Sequence, residues 1–377
     1  MRCLVYLIIF GFECFGAEGL SFEPGKIWPD DKGVHINAHG GGILYHQGVY
    51  YWFGEHKIGG AAGNKAHVGV SVYASRDLYN WKDEGIALKV SDDPKNDIVK
   101  ECVLERPKVI YNAKTKKFVM WFHLELKGKG YDAALSGVAT ADKVVGPYTF
   151  IRSFRPNAGH WPLNVTAGQK EPESIERTKK ENENFSGGPT EKHDKFNILG
   201  SHMEGGQMAR DMTLFVDDDG RAYHIFSSEH NSTLHISLLT DDYLDHCGTY
   251  VRVFPFRWME APAVFKRKGK YYLMASGCTG WAPNTARSAV ADSIFGPWKE
   301  LGNPCVGEGA ELTFGGQSTY VLKVEGMDDA YIAMIDIWRP ENAIDARYVW
   351  LPVEFVSSDK FKINWRDKWN LSVFGEN

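Results

Sequence analysis

A strand, a tight turn and a second strand recur five times along this 377-residue chain, and that repetition limits the fold more than any single motif does. The first copy is GGILYHQGVYYWFGEH at 41–56, followed by VGVSVYASRDLYNWKDEG. The second is PKVIYNAKTKKFVMWFHLEL from Pro107, then SGVATADKVVGPYTF, and the third is DMTLFVDDDGRAYHIFSSE from Asp211, then TLHISLLTDDYL. The fourth is APAVFKRKGKYYLMASG from Ala261, then TARSAVADSIFGPWKELG, and the fifth is STYVLKVEGMDDAYIAMIDIW from Ser318, then ARYVWLPVEF. Each copy sets turn residues between two β-rich runs, which is the signature of a hairpin. One small sheet cannot bury its faces alone, whereas a ring of sheets can, so repeats of this size imply a radial array. The expected fold is all-β, a five-bladed β-propeller. A two-sheet sandwich would not demand the same unit five times.

Composition removes several functions. A net charge of -5 gives no electrostatic footprint for nucleic acid or anionic lipid. Hydrophobic residues at 43% and charged residues at 24% exclude a disordered chain and a polytopic membrane protein. Aromatic residues at 13% suit short strands better than long helices, and Tyr50, Trp52, Phe118, Trp121, Tyr271 and Tyr331 recur at matching strand positions, as blade packing requires.

At the N-terminus, Arg2 precedes an apolar run from Leu4 to Phe12 and small residues at Gly16 and Ala17. The run is too short to span a bilayer and reads as a secretory signal over 1–17, so the mature chain is expected to be exported. A buried first strand and lipidation at Cys14 are the alternatives. Cys102, Cys247, Cys278 and Cys305 show no metal-ligand spacing; an oxidising compartment would permit disulfides among them, and buried free thiols fit equally. Sequons stand at Asn164, Asn184, Asn231 and Asn370. One segment, about 157–206, breaks the rhythm. Its centre is polar and mixed in charge, so it reads as a solvated insert in a single domain over 20–377, with its ends HWPLN and HMEGGQ tucked against the propeller and a short helix over Glu173 to Glu183.

Polar residues at the start of each innermost strand converge at one mouth of a propeller. Here they are Asn37-Ala38-His39, Glu105-Arg106-Pro107, Arg210-Asp211, Glu260-Ala261-Pro262 and Gly315-Gly316-Gln317. The carboxylates of Glu105, Asp211 and Glu260 and the carboxamide of Gln317 therefore meet near the axis, where a charged group carries a desolvation cost that packing alone rarely requires. The run DDDG at Asp217 to Gly220 lacks the spaced ligand pattern of a calcium loop and reads as a hairpin turn.

The ordered motifs NAHGGGILYHQGVYYWFGEH, ERPKVIYN, RDMTLFVDDDG, WMEAPAVFKRKGKYYLMASGCTGWAPN and GGQSTYV resemble glycoside hydrolase family 43, and within it the branch of exo-β-1,3-galactanases and galactosidases. The resemblance spans about Ile36 to Trp365. It implies that Glu260 is the general acid and that Asp211 orients and tunes it. The blade-one Asp that serves most of the family as base is absent, since Asn37-Ala38-His39 stands there; the galactanase branch also lacks it and carries a Gln matching Gln317. Glu105 matches that branch's blade-two Glu in the sugar site. The resemblance implies cleavage with inversion, with a proton delivered to the leaving oxygen and a water activated on the opposite face. The water is activated by Gln317 as a positioning group, by Gln317 in an imidic-acid form, or by Glu105.

Candidate substrate contacts are Glu55, Tyr131, Glu229, Asn231, Thr279, Trp281 and Arg347, with Tyr131 and Trp281 as the rings that meet a sugar and Arg347 either binding a carboxylate or pairing with Asp345. No cofactor is expected. A channel cation is not expected either, because the blade-five His that binds it in many family members is Gln317 here. The expected partner is a polysaccharide or oligosaccharide, and the chain is expected to be a monomer with no membrane span. An exo-enzyme that cleaves galactan is the expected reading, its exo action implied by the resemblance and by the long insert as a wall at one end of the cleft. Two others stand beside it, a furanosidase acting on arabinose or galactofuranose side chains and a non-catalytic sugar-binding propeller. A phosphorylase would need an Arg and His cluster for phosphate, which the sequence does not offer.

Overall fold

A computed structural model describes residues 19–65, 67–182 and 196–375. The expected signal at 1–17, Cys14 and the sequon at Asn184 lie outside these residues. Five antiparallel sheets carry the chain. Blade one is β1 His39–His46, β2 Val49–Lys57, β3 His67–Ser75 and β4 Lys82–Lys89; blade two is β5 Val103–Asn112, β6 Lys117–Glu125, β7 Leu135–Ala141 and β8 Thr149–Phe154. Blade three is β9 Met212–Val216, β10 Ala222–Ser228, β11 Thr233–Leu239 and β12 His246–Val253; blade four is β13 Met259–Arg267, β14 Lys270–Gly277, β15 Arg287–Ala291 and β16 Lys299–Gly302. Blade five holds β18 Gln317–Lys323, β19 Tyr331–Ile337, β20 Arg347–Ser357 and β21 Lys360–Asn364, with β17 Cys305–Val306 added in parallel beside β21. The first strands touch in ring order β1, β5, β9, β13, β18 and back to β1, which closes the propeller.

Closure between blades one and five is an aromatic seam. Phe22, ahead of blade one, exchanges both backbone hydrogen bonds with Trp369, beyond blade five, and their rings stack at 4.4 Å. Trp52, Trp81, Tyr348 and Trp350 fill the same cluster with almost no exposure. Burying such rings removes roughly 200 Å² each from water, so this seam supplies much of the apolar energy that joins the two ends of the ring. The other strand aromatics, Tyr50, Phe118, Trp121, Tyr271 and Tyr331, are also buried, as their repeated positions predict.

The segment at 157–206 is more ordered in its described part than its polarity suggests. A helix, α1 Pro172–Asn182, packs on a single turn, α2 Ile198–Ser201, and buries Ile198, Leu199 and Thr178. Asn197 ties them together: its N–H donates to Thr178 Oγ1 at 2.8 Å and its Nδ2 to the Gln169 carbonyl at 2.7 Å. Both ends join the propeller, where Leu163 N–H donates to the Tyr250 carbonyl and Ala209 N–H to that of Ala134. A few small apolar residues suffice for this because asparagine side chains satisfy the backbone that a larger core would otherwise cover.

Candidate active site

Three of the innermost strands begin with the same irregularity. The pairing register shifts after His39 in blade one, after Glu105 in blade two and after Glu260 in blade four, and the next residue is left-handed each time: Gly40 at φ 60°, Arg106 at 57° and Ala261 at 52°. A bulge of this kind bends the strand and re-aims the side chain beside it. It also turns one amide out of the ladder, and that amide needs an acceptor. In all three blades the acceptor is a carboxylate from the preceding blade. Gly40 N–H donates to Asp336 Oδ2 at 2.6 Å, Arg106 N–H to Glu55 Oε1 at 3.0 Å, and Ala261 N–H to Asp211 Oδ2 at 3.0 Å.

These bulges frame a cavity of about 290 Å³ at one mouth of the ring, lined by Glu55, Glu105, Tyr131, Asp211, Asn231, Glu260, Trp281 and Gln317 from the sequence expectation. Arg106, His123, Trp338, Asn64, Arg210 and Gly280 complete the wall. Glu260 accepts from Asn231 Nδ2 at 2.8 Å on Oε1. Burial, and then the nearby Asp211 carboxylate, push its carboxyl up to about 7 against the opposing pull of the Cys278 thiol and Arg106. A carboxylic acid that keeps its proton near neutral pH is what general-acid chemistry needs. Asp211 itself is held by the Ala261 amide and by Arg106 NH2 at 3.1 Å.

Glu105 has a different environment. Tyr131 donates its hydroxyl proton to Oε1 at 2.8 Å, and His123 Nδ1 lies 2.8 Å from Oε2. His123 Nε2 lies 3.0 Å from Glu125 Oε1, and Glu125 accepts the Ala134 N–H. Burial opposes the charge on both partners, yet the pair overrides it: Glu105 is held down at about 2 and His123 is raised to about 9. An imidazolium between two carboxylates keeps Glu105 anionic, which makes it a reluctant proton acceptor. Glu105, His123 and Asp211 also bring ligand-type atoms within 4.8 Å of one another. Both ring nitrogens of His123 and both oxygens of Glu105 are already engaged, which suits an ion-pair network better than a metal centre.

Gln317 opens β18 with every polar atom in use. Its Oε1 accepts from the Arg106 guanidinium and from Trp338 Nε1 at 2.9 Å, and its Nε2 donates to Ser276 Oγ at 2.9 Å. With donors filling the oxygen, the nitrogen end is the part left to meet a water. The Arg106 guanidinium sits over the Trp338 ring at 5.3 Å, and Trp281 meets Trp338 edge-on at 6.0 Å, so the exposed Trp281 face borders the cavity.

Three expected contacts stand elsewhere. Glu229 is buried behind the wall, its carboxylate held by Arg252 at 2.6 and 2.7 Å and by His235 at 2.8 Å. Thr279 is spent inside its own turn, donating to the Ala282 carbonyl and accepting from Asn284. Arg347 pairs with Asp345 at 2.6 Å and does not line the cavity. His39 is fully buried against Tyr348, away from the cavity, and the Asn37 side chain brackets the Lys57 backbone, donating from Nδ2 to its carbonyl and accepting its N–H on Oδ1. Arg106, His123 and Trp338 join the site without being singled out by the sequence. Arg106 stood inside the quoted Glu105-Arg106-Pro107, and nothing in the period of blade five marks Trp338, because its partner Gln317 is reached only through the pairing of β18 with β19.

The glycosyl hydrolases family 43 model matches residues 159–334. A solved family 43 β-1,3-galactosidase with galactodeoxynojirimycin is 53% identical, with a TM-score of 0.85, over 93% of this chain and 100% of that one. An exo-β-1,3-galactanase from Clostridium thermocellum is 33% identical, with a TM-score of 0.74, over 92% of this chain and 66% of that one. A β-D-galactofuranosidase of Aspergillus niger is 31% identical over 129 residues, a stretch covering 31% of this chain and only 37% of that enzyme. With a ring of five blades, a raised carboxyl at its mouth and likeness over the whole length of a solved member, this chain belongs to glycoside hydrolase family 43.

Proposed function

We propose that the protein is an exo-acting, inverting β-1,3-galactosidase that releases galactose from the ends of β-1,3-linked galactan. The observation that carries the chemistry is Glu260, raised to about 7 beside Asp211 in the wall of the mouth cavity. The substrate is supported by the 53% identity to a β-1,3-galactosidase along that protein's full length. In this reading the terminal galactose enters the cavity, Tyr131 and Trp281 line it, and Asn231 Oδ1, which has no protein partner, faces a sugar hydroxyl. Glu260 protonates the leaving oxygen. Gln317 positions the attacking water, since the carboxylate of Glu105 is held too acidic for that task.

Exo action rests on the small size of the cavity and not on the insert, because no described residue of 157–206 lines it. The proposal includes export, on the strength of Arg2 and the apolar run that follows it. Incubation with β-1,3-galactan, aryl galactofuranosides and aryl arabinofuranosides tests the reading directly. Galactose released from the galactan alone, first as the α-anomer by NMR, is the expected result. Release from a furanoside alone would favour the furanosidase reading, and no release from any of them would favour a binding propeller.

A further inference from the structure

A buried polar cluster lies outside the cavity, beneath the turn between β10 and β11. Glu229 is 2% exposed, and Arg252 grips it from Nε to Oε1 and from NH2 to Oε2 while His235 adds a third contact. Glu229 also begins a run of three non-glycine residues in the left-handed region: Glu229 at φ 50°, His230 at 57° and Asn231 at 69°. L-residues avoid that conformation, so three in succession persist only where the surroundings over-determine them. Here Ser232 fixes the turn from within, donating its N–H and its Oγ to the Glu229 carbonyl at 3.2 and 2.8 Å. The insert braces it from outside. Asn164 brackets the backbone of Arg252 at 2.7 and 3.0 Å, and the His202 ring lies 5.8 Å from that of His230.

The third residue of the run is Asn231, whose Nδ2 donates to Glu260 Oε1. An oxygen that accepts from an amide is the carbonyl-type oxygen of the acid, so the proton is left to the other oxygen, Oε2. We infer that the Arg252–Glu229–His235 cluster, braced by the insert, is a positioning device that locks the left-handed turn and so fixes through Asn231 which oxygen of Glu260 delivers the proton. The inference rests on the reading of Glu260 as the general acid. It gives the insert a role as a brace for the acid in place of a wall for the cleft.

The charged and titratable groups facing Glu260 are Asp211, Arg106, Glu105 and Cys278, and all four remain in the variants that test the idea. Losing the Asn231 donor removes a group that favours the anion, so the alkaline limb of kcat/KM moves to higher pH. Glu229→Gln and Asn231→Gly are expected to lower kcat about tenfold each, with KM nearly constant in Glu229→Gln, which touches no substrate, and the limb moved in the same direction in both. The double variant is expected to be no slower than Asn231→Gly alone, because Glu229 acts through Asn231. Losses that multiply in the double variant, or a slowed Glu229→Gln with an unmoved limb, overturn the inference. Should Glu229→Gln fail to fold, His202→Ala keeps the ion pair, removes the ring against His230 and carries the same expectation. Glu260→Gln in parallel separates the two claims: full turnover there would sink the acid reading, whereas multiplying losses sink only the positioning device.

Discussion

The backbone amide of Ala261, the residue after Glu260, donates to Asp211 Oδ2 at 3.0 Å. Glu260 and the carboxylate that raises its pKa are thus tied by a bulge in one blade and the opening residue of the blade before it. Glu55 and Asp336 do the same for the bulges at Arg106 and Gly40. The carboxylate beside Glu260 is therefore part of how one blade docks on the next.

Removing that charge has a definite sign. In Asp211→Asn the neighbouring anion is gone while Arg106 stays, so the ionised form of Glu260 becomes easier to reach and its pKa falls from about 7. The protonated, active form is then lost at lower pH. The alkaline limb of the kcat/KM profile should move toward acid, and a limb that stays near neutrality would refute the coupling.

Replacing the acid itself discriminates between leaving groups. Glu260→Gln should lower kcat on β-1,3-galactobiose by roughly 10²–10⁴-fold, and much less on an aryl galactoside whose phenolate leaves without a proton. Equal losses on both substrates would argue that Glu260 binds the sugar and does not protonate it.

Gln317→Ala should slow turnover strongly, since it removes the group proposed to position the water and takes an acceptor from both Arg106 and Trp338 Nε1. Gln317→Glu places a carboxylate beside Arg106 and should retain more activity than the alanine variant. Full rate in Gln317→Ala, measured as galactose released per minute, would remove Gln317 from the mechanism.

The Glu105–His123 pair predicts how stability follows pH. His123 is raised from its ordinary 6.5 to about 9, so the stability it contributes is complete below 6.5 and is lost as pH rises through 9. Glu105 is lowered from 4.5 to about 2, so its contribution is present above 4.5 and is lost as pH falls toward 2. Thermal melts from pH 6 to 10 should show a falling Tm for the wild type and a flatter line for His123→Gln; parallel lines would refute the pairing.

Trp52 lies in the aromatic seam with 0% exposure, between Trp28, Trp81, Tyr348 and Trp350. Trp52→Ala should cost about 3–5 kcal/mol through lost burial and the cavity left behind, read from denaturant unfolding. Trp281→Ala, at an exposed ring beside the cavity, should leave Tm unchanged and raise KM.

Five blades, their order and the buried aromatics were legible because alternation and turn chemistry are local properties of the chain. The same holds for Glu105, Asp211, Glu260 and Gln317, each of which stands at the start of an innermost strand of the ring and lines the cavity at its mouth. Arg106, His123 and Trp338 were not legible in that way. Each owes its place to ring closure, which brings Arg106 against Gln317, more than two hundred positions away in sequence, and to a bulge whose left-handed residue no pattern of side chains announces. Glu229 shows the opposite case. A carboxylate two residues from Asn231 looked equally available to a sugar, but the left-handed turn sends one side chain to Glu260 and the other inward to Arg252. The sequence by itself determined which residues open the strands. Only the tertiary structure, through the direction in which each bulge and turn rotates its neighbour, decided which of them line the cavity and which brace those that do.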